Sequence, residues 1–251
     1  MASIEAVKLG LTIPTFGYGN RNLRSEIINK IKTKNRLGVD GVIVLSDVTF
    51  SAKNGDRIGL FGPNGSGKTS LLRLLSGIYQ PTSGSLNVEG ETKNLIALGA
   101  GLDPNLTGKE NISRILHLSY PGIKISRTLI NDVAEFSELG EFLDMPVRTY
   151  SSGMVLRLMS GTVFLNSGDI FLIDEFFGVG DNAFSTKVQK KMDELISNSN
   201  ILVFATHSKQ LLAQHCNRFL VFENGRLEEK SEQEFFPKKK TILCSIYEQK
   251  I

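Results

Sequence analysis

Apolar residues recur along the chain in two spacings. Short, nearly unbroken runs rich in β-branched and aromatic side chains occupy residues 40–50 (DGVIVLSDVTF), 57–61 (RIGLF), 169–174 (DIFLID), 200–206 (NILVFAT) and 218–223 (RFLVFE). Between them, TSLLRLLSG (69–77), MVLRLMSGTVFL (154–165) and STKVQKKMDELI (185–196) carry apolar residues at helical spacing. The first spacing predicts strands and the second helices, and their alternation predicts an α/β fold with a mostly parallel sheet. The runs around 2–12 and 40–50 have no compact helix between them, which predicts an antiparallel β edge. Residues 106–145 carry helical candidates (KENISRILHL, SRTLINDVAEFSEL) and no good strand, so they read as a helical insertion.

Composition narrows the class. At 251 residues the chain suits one large domain, or a core with a sub-domain, and 41% hydrophobic with 22% charged side chains argues against disorder. Its two cysteines, Cys216 and Cys244, make no disulfide framework and no metal-ligand spacing, as expected in a reducing compartment. No run approaches the ~20 apolar residues of a membrane span. The start, MASIEAVKLGLTIP, lacks the order of a secretory signal. A net charge of +3 is too mild to name a partner, and no nucleic acid is expected.

Residues 21–36 are more pointed. They hold Arg21, Arg24, Lys30, Lys32, Lys34 and Arg36 against Glu26, while Leu23, Ile27, Ile28 and Ile31 fall on one helical face. Such a segment either lies on a membrane or a partner, or packs as a solvated surface helix.

Gly62-Pro63-Asn64-Gly65-Ser66-Gly67-Lys68-Thr69 fits G-x-x-x-x-G-K-[ST], and it lies between a predicted strand and a predicted helix, as that motif requires. Glycines let backbone N–H groups turn inward onto phosphate oxygens, aided by the positive end of the helix. Lys68 is placed to reach the β- and γ-phosphates, and Thr69 to ligate Mg²⁺. The run Ile170-Phe171-Leu172-Ile173-Asp174-Glu175 suits a strand buried on both faces that ends in acids at its carboxyl edge. Asp174 is the candidate metal holder and Glu175 the candidate base. Tyr150-Ser151-Ser152-Gly153 precedes a helical run, so Ser151 and the Gly153 backbone stand at an anion-binding helix end. His207 follows the strand at 200–206.

Together these motifs resemble the nucleotide-binding subunit of ABC transporters over nearly the whole chain. GPNGSGKT looks like the Walker A loop, with Ser70 beside it, IFLIDE the Walker B strand with its catalytic glutamate, and YSSGM the signature motif. Val179-Gly180-Asp181 resembles the D-loop and His207 the switch histidine. The phrases YSSGMVLRL, LGAGLDPNLTGKENI and DEFFGVGDNAF, with the long basic lead-in, resemble the bacterial polysaccharide exporters that carry O-antigen, capsule or wall teichoic acid. Two departures stand out. The glutamine that most ABC ATPases carry at the junction with the helical insertion is missing from LGAGLDPN, and Gln80 lies in the wrong place. By similarity the aromatic that stacks on adenine is Phe16, with Tyr18 as competitor.

The resemblance implies a single ABC ATP-binding domain over 1–251. Its P-loop NTPase core would carry a helical subdomain at about 104–165, the basic lead-in at about 21–36 and a short tail at about 231–251. It implies two chains facing head to tail with two ATP molecules between them, each held by the Lys68 loop of one chain and the Ser151/Gly153 helix end of the other. The cofactors implied are ATP and Mg²⁺. The partners are a second copy and an integral membrane permease, engaged on the cytoplasmic face of the membrane and acting on a lipid-linked polysaccharide. The short tail is expected to leave no room for a glycan-reading domain. A GTPase is disfavoured because Asn29-Lys30-Ile31-Lys32 lacks the acid of N-K-x-D, and a small-molecule kinase has no use for YSSGM. An ABC ATPase acting outside transport, or one for another substrate, is the alternative.

Overall fold

The computed structural model describes residues 1–14, 41–95, 101–119, 124–163, 168–174, 182–223 and 226–237. Phe16, Tyr18, the basic segment 21–36, Glu175, the 179–181 stretch with Asp181, and the tail beyond 237 lie outside the described residues.

Among the described residues, nine strands form two sheets: β1 (Ser3–Pro14), β2 (Gly41–Lys53), β3 (Arg57–Phe61), β4 (Ser83–Glu89), β5 (Thr92–Leu95), β6 (Ile170–Asp174), β7 (Ile201–Ala205), β8 (Arg218–Glu223) and β9 (Arg226–Lys230). The main sheet runs β5-β6-β7-β3-β8-β9, parallel except for β9. The expected antiparallel strands form a smaller sheet of their own, ordered β2-β1-β4.

The main sheet is buried on both faces, which is why its central strands are unbroken apolar runs. Period-two alternation then sorts each strand between two cores. Ile170, Leu172, Ile201 and Val203 enter one cluster with Leu71, Leu72, Leu74 and Leu75 of α1 (Lys68–Leu75) and the small sheet's Ile4, Leu9, Val48 and Phe50. Phe171, Ile173, Leu202 and Phe204 enter the other, against Phe184, Val188, Met192 and Ile196 of α5 (Asn182–Asn198). Each such aliphatic side chain contributes roughly 1.5–3 kcal/mol by leaving water.

Three further helices, α2 (Gly108–Ser119), α3 (Arg127–Ser137) and α4 (Ser152–Val163), share a third cluster built on Ile112, Leu116, Val133, Leu143 and Leu158. The start of α2 is fixed by Thr107 and Glu110: the Thr107 N–H and hydroxyl donate to Glu110 Oε2 at 2.8 and 2.9 Å. The Thr107 hydroxyl in turn accepts from the Glu110 N–H at 3.3 Å. Two short helices, α6 (Lys209–His215) and α7 (Glu232–Phe235), complete the described chain. No helix among the described residues is long and apolar enough to cross a membrane.

Candidate functional site

Register aligns the chemistry. Leu60 of β3 and Asp174 of β6 both pair with Ala205 of β7, so the carboxyl ends of three neighbouring strands lie in one row. The phosphate-loop motif leaves β3, Asp174 closes β6, and His207 stands two residues past β7. Ligands in open α/β sheets bind in this place, because helix N-termini point there.

Residues 62–67 turn sharply into α1. Gly65 and Gly67 have φ of +76° and +105°, and Gly67, which has no side chain to offer as a cap, occupies the cap position of the helix. A Cβ on Gly67 would stand 2.7 Å from Leu45 Cδ2 and 3.1 Å from the Val44 carbonyl oxygen. Glycine is therefore required twice over, by backbone conformation and by the approach of β2. Lys68 is buried, and its Nζ donates to the Gly62 and Pro63 carbonyls at 2.8 and 2.9 Å. The cation is folded onto its own loop, held by oxygens that phosphate oxygens can replace.

Thr69 and Asp174 meet, with the hydroxyl donating to Asp174 Oδ2 at 2.6 Å. Two hard oxygen donors suit Mg²⁺, which keeps waters and substrate phosphate among its ligands. No cluster of three or more His, Cys, Asp or Glu side chains that could cage a metal occurs among the described residues, and the Thr69–Asp174 pair fits an ion shared with a phosphate. Ser66 Oγ is buried with no hydrogen-bond partner among the described residues, an orphaned group inside the loop that an anion would satisfy. His207 Nε2 hydrogen-bonds to Asn64 Oδ1, tying the segment after β7 to the loop.

A cleft of about 250 Å³ is lined by Val44, Asn64 to Ser70, and Asp174. Val44 is the residue that sequence reasoning missed. It sits within a strand pattern and carries no chemistry, yet the crossing of β2 over Gly67 brings it to the cleft wall.

The second expected anion site lies elsewhere. Ser151 caps α4, its hydroxyl accepting from the Met154 N–H at 3.2 Å. Ser151 and Ser152 are exposed, Gly153 is half-exposed, and none of the three lines the phosphate cleft. The cap is anchored from behind by Tyr150, whose hydroxyl donates to the Phe142 carbonyl at 2.6 Å. Burial and the nearby Asp144 push that hydroxyl above its usual range, so it stays a donor. The loop at 103–107 is clamped to the same region. Fully buried Asn111 donates to the carbonyls of Asp103, Leu106 and Thr107, while the Val147 and Arg148 N–H groups donate to the Leu106 and Pro104 carbonyls. Leu118, Phe142 and Met145 of these helical segments expose large apolar side chains.

Comparison with known proteins agrees with this geometry. The family described as ABC transporter matches residues 45–178. The chain is 40% identical to the O-antigen export system ATP-binding protein RfbE of Yersinia enterocolitica, over 92% of this chain and 98% of that protein. It is 38% identical to the teichoic acids export ATP-binding protein TagH of Staphylococcus haemolyticus, over 89% of this chain and 84% of that one. Among solved structures, its fold is similar to a dimeric post-hydrolysis ATP-binding cassette bound to ADP and Pi. That match has a TM-score of 0.65 at 19% identity, covering 91% of this chain and 98% of the other.

Proposed function

The chain belongs to the ABC transporter family, and from that premise we propose that it is the ATP-hydrolysing subunit of an exporter of lipid-linked polysaccharide. Relatives that handle O-antigen and teichoic acid support this substrate class. The subunit is a single ATP-binding domain with a helical subdomain at about 104–165, and it works as a peripheral homodimer on the cytoplasmic face, driving a separate membrane permease. The clamped loop at 103–107 and the exposed Phe142 and Met145 offer that permease a rigid face.

Each ATP lies between two chains. In one chain the backbone of 62–67 and the α1 end hold the phosphates, and Lys68 exchanges its loop carbonyls for β- and γ-phosphate oxygens. Thr69 and Asp174 hold Mg²⁺, which when bound offsets phosphate charge. Glu175 takes the proton of the attacking water as the bond between the γ-phosphorus and the bridging oxygen breaks, and ADP and phosphate leave. His207 moves from Asn64 to the γ-phosphate. Ser151, Ser152 and Gly153 of the other chain cover that phosphate, with Asp181 at the junction of the two chains and Phe16 on the adenine.

The observation that carries this reading is the separation of the two anion sites. The capped end of α4 is exposed and lies outside its own chain's cleft. Gly153→Asp tests it. Among the described residues, and apart from the helix's own backbone and the adjoining residues, the heavy atom nearest a Cβ there is Ser151 Oγ at 3.8 Å, and an acid in the first turn favours a helix, so the single chain tolerates the change. A carboxylate facing a γ-phosphate repels it. The expected result is normal folding and ATP binding with turnover lowered at least about tenfold, and a wild-type rate per chain that rises with chain concentration. Full turnover in the variant, or a rate per chain independent of concentration, overturns the two-chain site.

A further inference from the structure

Between the helical segments and the sheet core lies a compact set of contacts that the site chemistry does not use. Glu138 follows α3 with φ of +55°, a left-handed conformation that ordinarily selects glycine. Its two carboxylate oxygens face two different elements. Oε1 accepts from Lys187 Nζ of α5 at 2.6 Å, and Oε2 accepts from Arg157 of α4 at 3.2 Å. Lys187 also donates to the Phe136 carbonyl at 3.1 Å and lies 4.7 Å from the Phe136 ring centre. The Arg157 guanidinium lies over the Phe184 ring at 4.5 Å, and the Phe136 and Phe184 rings meet edge to face at 6.0 Å.

The location matters more than the energy of any one contact. Arg157 stands six residues past Ser151, on the helix that Ser151 caps. Lys187 and Phe184 lie in the opening turns of α5, the helix that follows the Asp174 strand in the chain. Glu138 thus joins the element bearing one anion site to the element that follows the other. Exposed ion pairs contribute little stability, and a non-glycine residue at positive φ carries strain. Strain that glycine would relieve points to a role for the side chain rather than the backbone.

We propose that Glu138, Arg157 and Lys187 are positioning residues that fix the angle at which the capped end of α4 is presented to the nucleotide of the partner chain. This rests on the two-chain reading above. Closure of the dimer requires both helix ends to meet one triphosphate, and a cation on each side of a single carboxylate, each also set against an aromatic ring, holds α4 against α5 in one orientation. Removing the carboxylate leaves each phosphate loop able to bind ATP and leaves α4 capped, but loosens the angle between them.

The test uses the full chain as Glu138→Gln, which keeps the shape, and Glu138→Gly, which relieves the backbone strain. The readouts are the Kd for a fluorescent ATP analogue, the turnover at saturating ATP, the chain concentration giving half-maximal turnover, and the thermal midpoint. Both variants are expected to keep Kd within about twofold, while turnover falls about five- to tenfold and the half-maximal concentration rises by a similar factor, the size of an ordinary coupling between sites. Glu138→Gly is expected to melt no lower than wild type, which separates positioning from folding. Wild-type turnover in both variants, or a loss that follows a fallen midpoint in Glu138→Gly, overturns the proposal. A wild-type rate independent of chain concentration would instead strike the two-chain reading beneath it.

Discussion

Thr69 donates its hydroxyl proton to Asp174 Oδ2 at 2.6 Å, joining positions 105 residues apart in the chain. The bond exists because β3 and β6 both pair with β7, which places the helix after one strand beside the acid at the end of the other. Asp174→Asn keeps an acceptor for Thr69 but loses the charge that a divalent cation needs. Turnover is expected to fall about 10²- to 10³-fold, since an ion at a transferring phosphate supplies several kcal/mol. Thermal shift checks the cause: Mg²⁺ should add to the ATP-induced rise in Tm in the wild type and add nothing in the variant.

Ser151 has a structural and a functional role that can be separated. As the cap of α4 it accepts from the Met154 N–H, so Ser151→Ala costs about 1 kcal/mol of stability. For a chain of this length that is about 2–4 °C in Tm. Ser151→Asp is an equally good cap and should restore Tm, yet it sets a carboxylate where the reading places a phosphate. Calorimetry beside ATPase assays should show stability recovered and turnover still lost. Recovery of both would deny Ser151 a phosphate role.

How much of this was legible in the sequence depends on the physics of each element. The central strands β3, β6, β7 and β8 agree with their apolar runs to within a residue, because burial on both faces demands hydrophobic residues from end to end. The helix α4 begins at Ser152, two residues ahead of its apolar run, since its first turn is the exposed Ser-Gly pair. The strands β4 and β9 carry no apolar run that would predict them: SGSLNVE and RLEEK are edge strands of exposed or half-exposed residues. The motifs singled out Lys68, Thr69, Asp174, Ser151 and His207; the first three line the cleft, His207 bonds to Asn64 on its wall, and Ser151 stands apart from it. They could not tell that Lys68 rests on the Gly62 and Pro63 carbonyls, or that His207 reaches Asn64. Nor could they reveal Glu138, whose partners lie 19 and 49 residues away and obey no local period.

Gly67→Ala should damage the fold before it damages chemistry. The methyl would meet Leu45 Cδ2 at 2.7 Å on a backbone at φ +105°, and strain of this kind costs about 1–3 kcal/mol. Relief requires β2 to retreat, and β2 carries Val44 on the cleft wall. A fall in Tm of about 5 °C with weakened ATP binding is expected. A Tm equal to that of wild type would show that the loop adapts without moving β2.

Cys216 gives the chain an alkaline liability. Its Sγ packs beside Gly59 and Leu212 on the second core cluster, and burial pushes the thiol up to about 12, partly opposed by the positive charge of Arg57. An unfolded cysteine ionises near 8.5. Below that value both states hold the proton and stability is unaffected. Above it the unfolded chain releases a proton that the folded chain retains, so stability falls as pH rises toward 12. One retained proton costs about 1.4 kcal/mol per pH unit, or about 2 kcal/mol between pH 9 and 10.5. Urea midpoints should therefore drop more steeply over that interval in the wild type than in Cys216→Ala, in which all other alkaline titrations are shared. The same depressed acidity predicts that Cys216 resists iodoacetamide at pH 8 until urea unfolds the chain, as peptide mapping can record. Parallel urea profiles for the two proteins would show that Cys216 ionises as readily folded as unfolded.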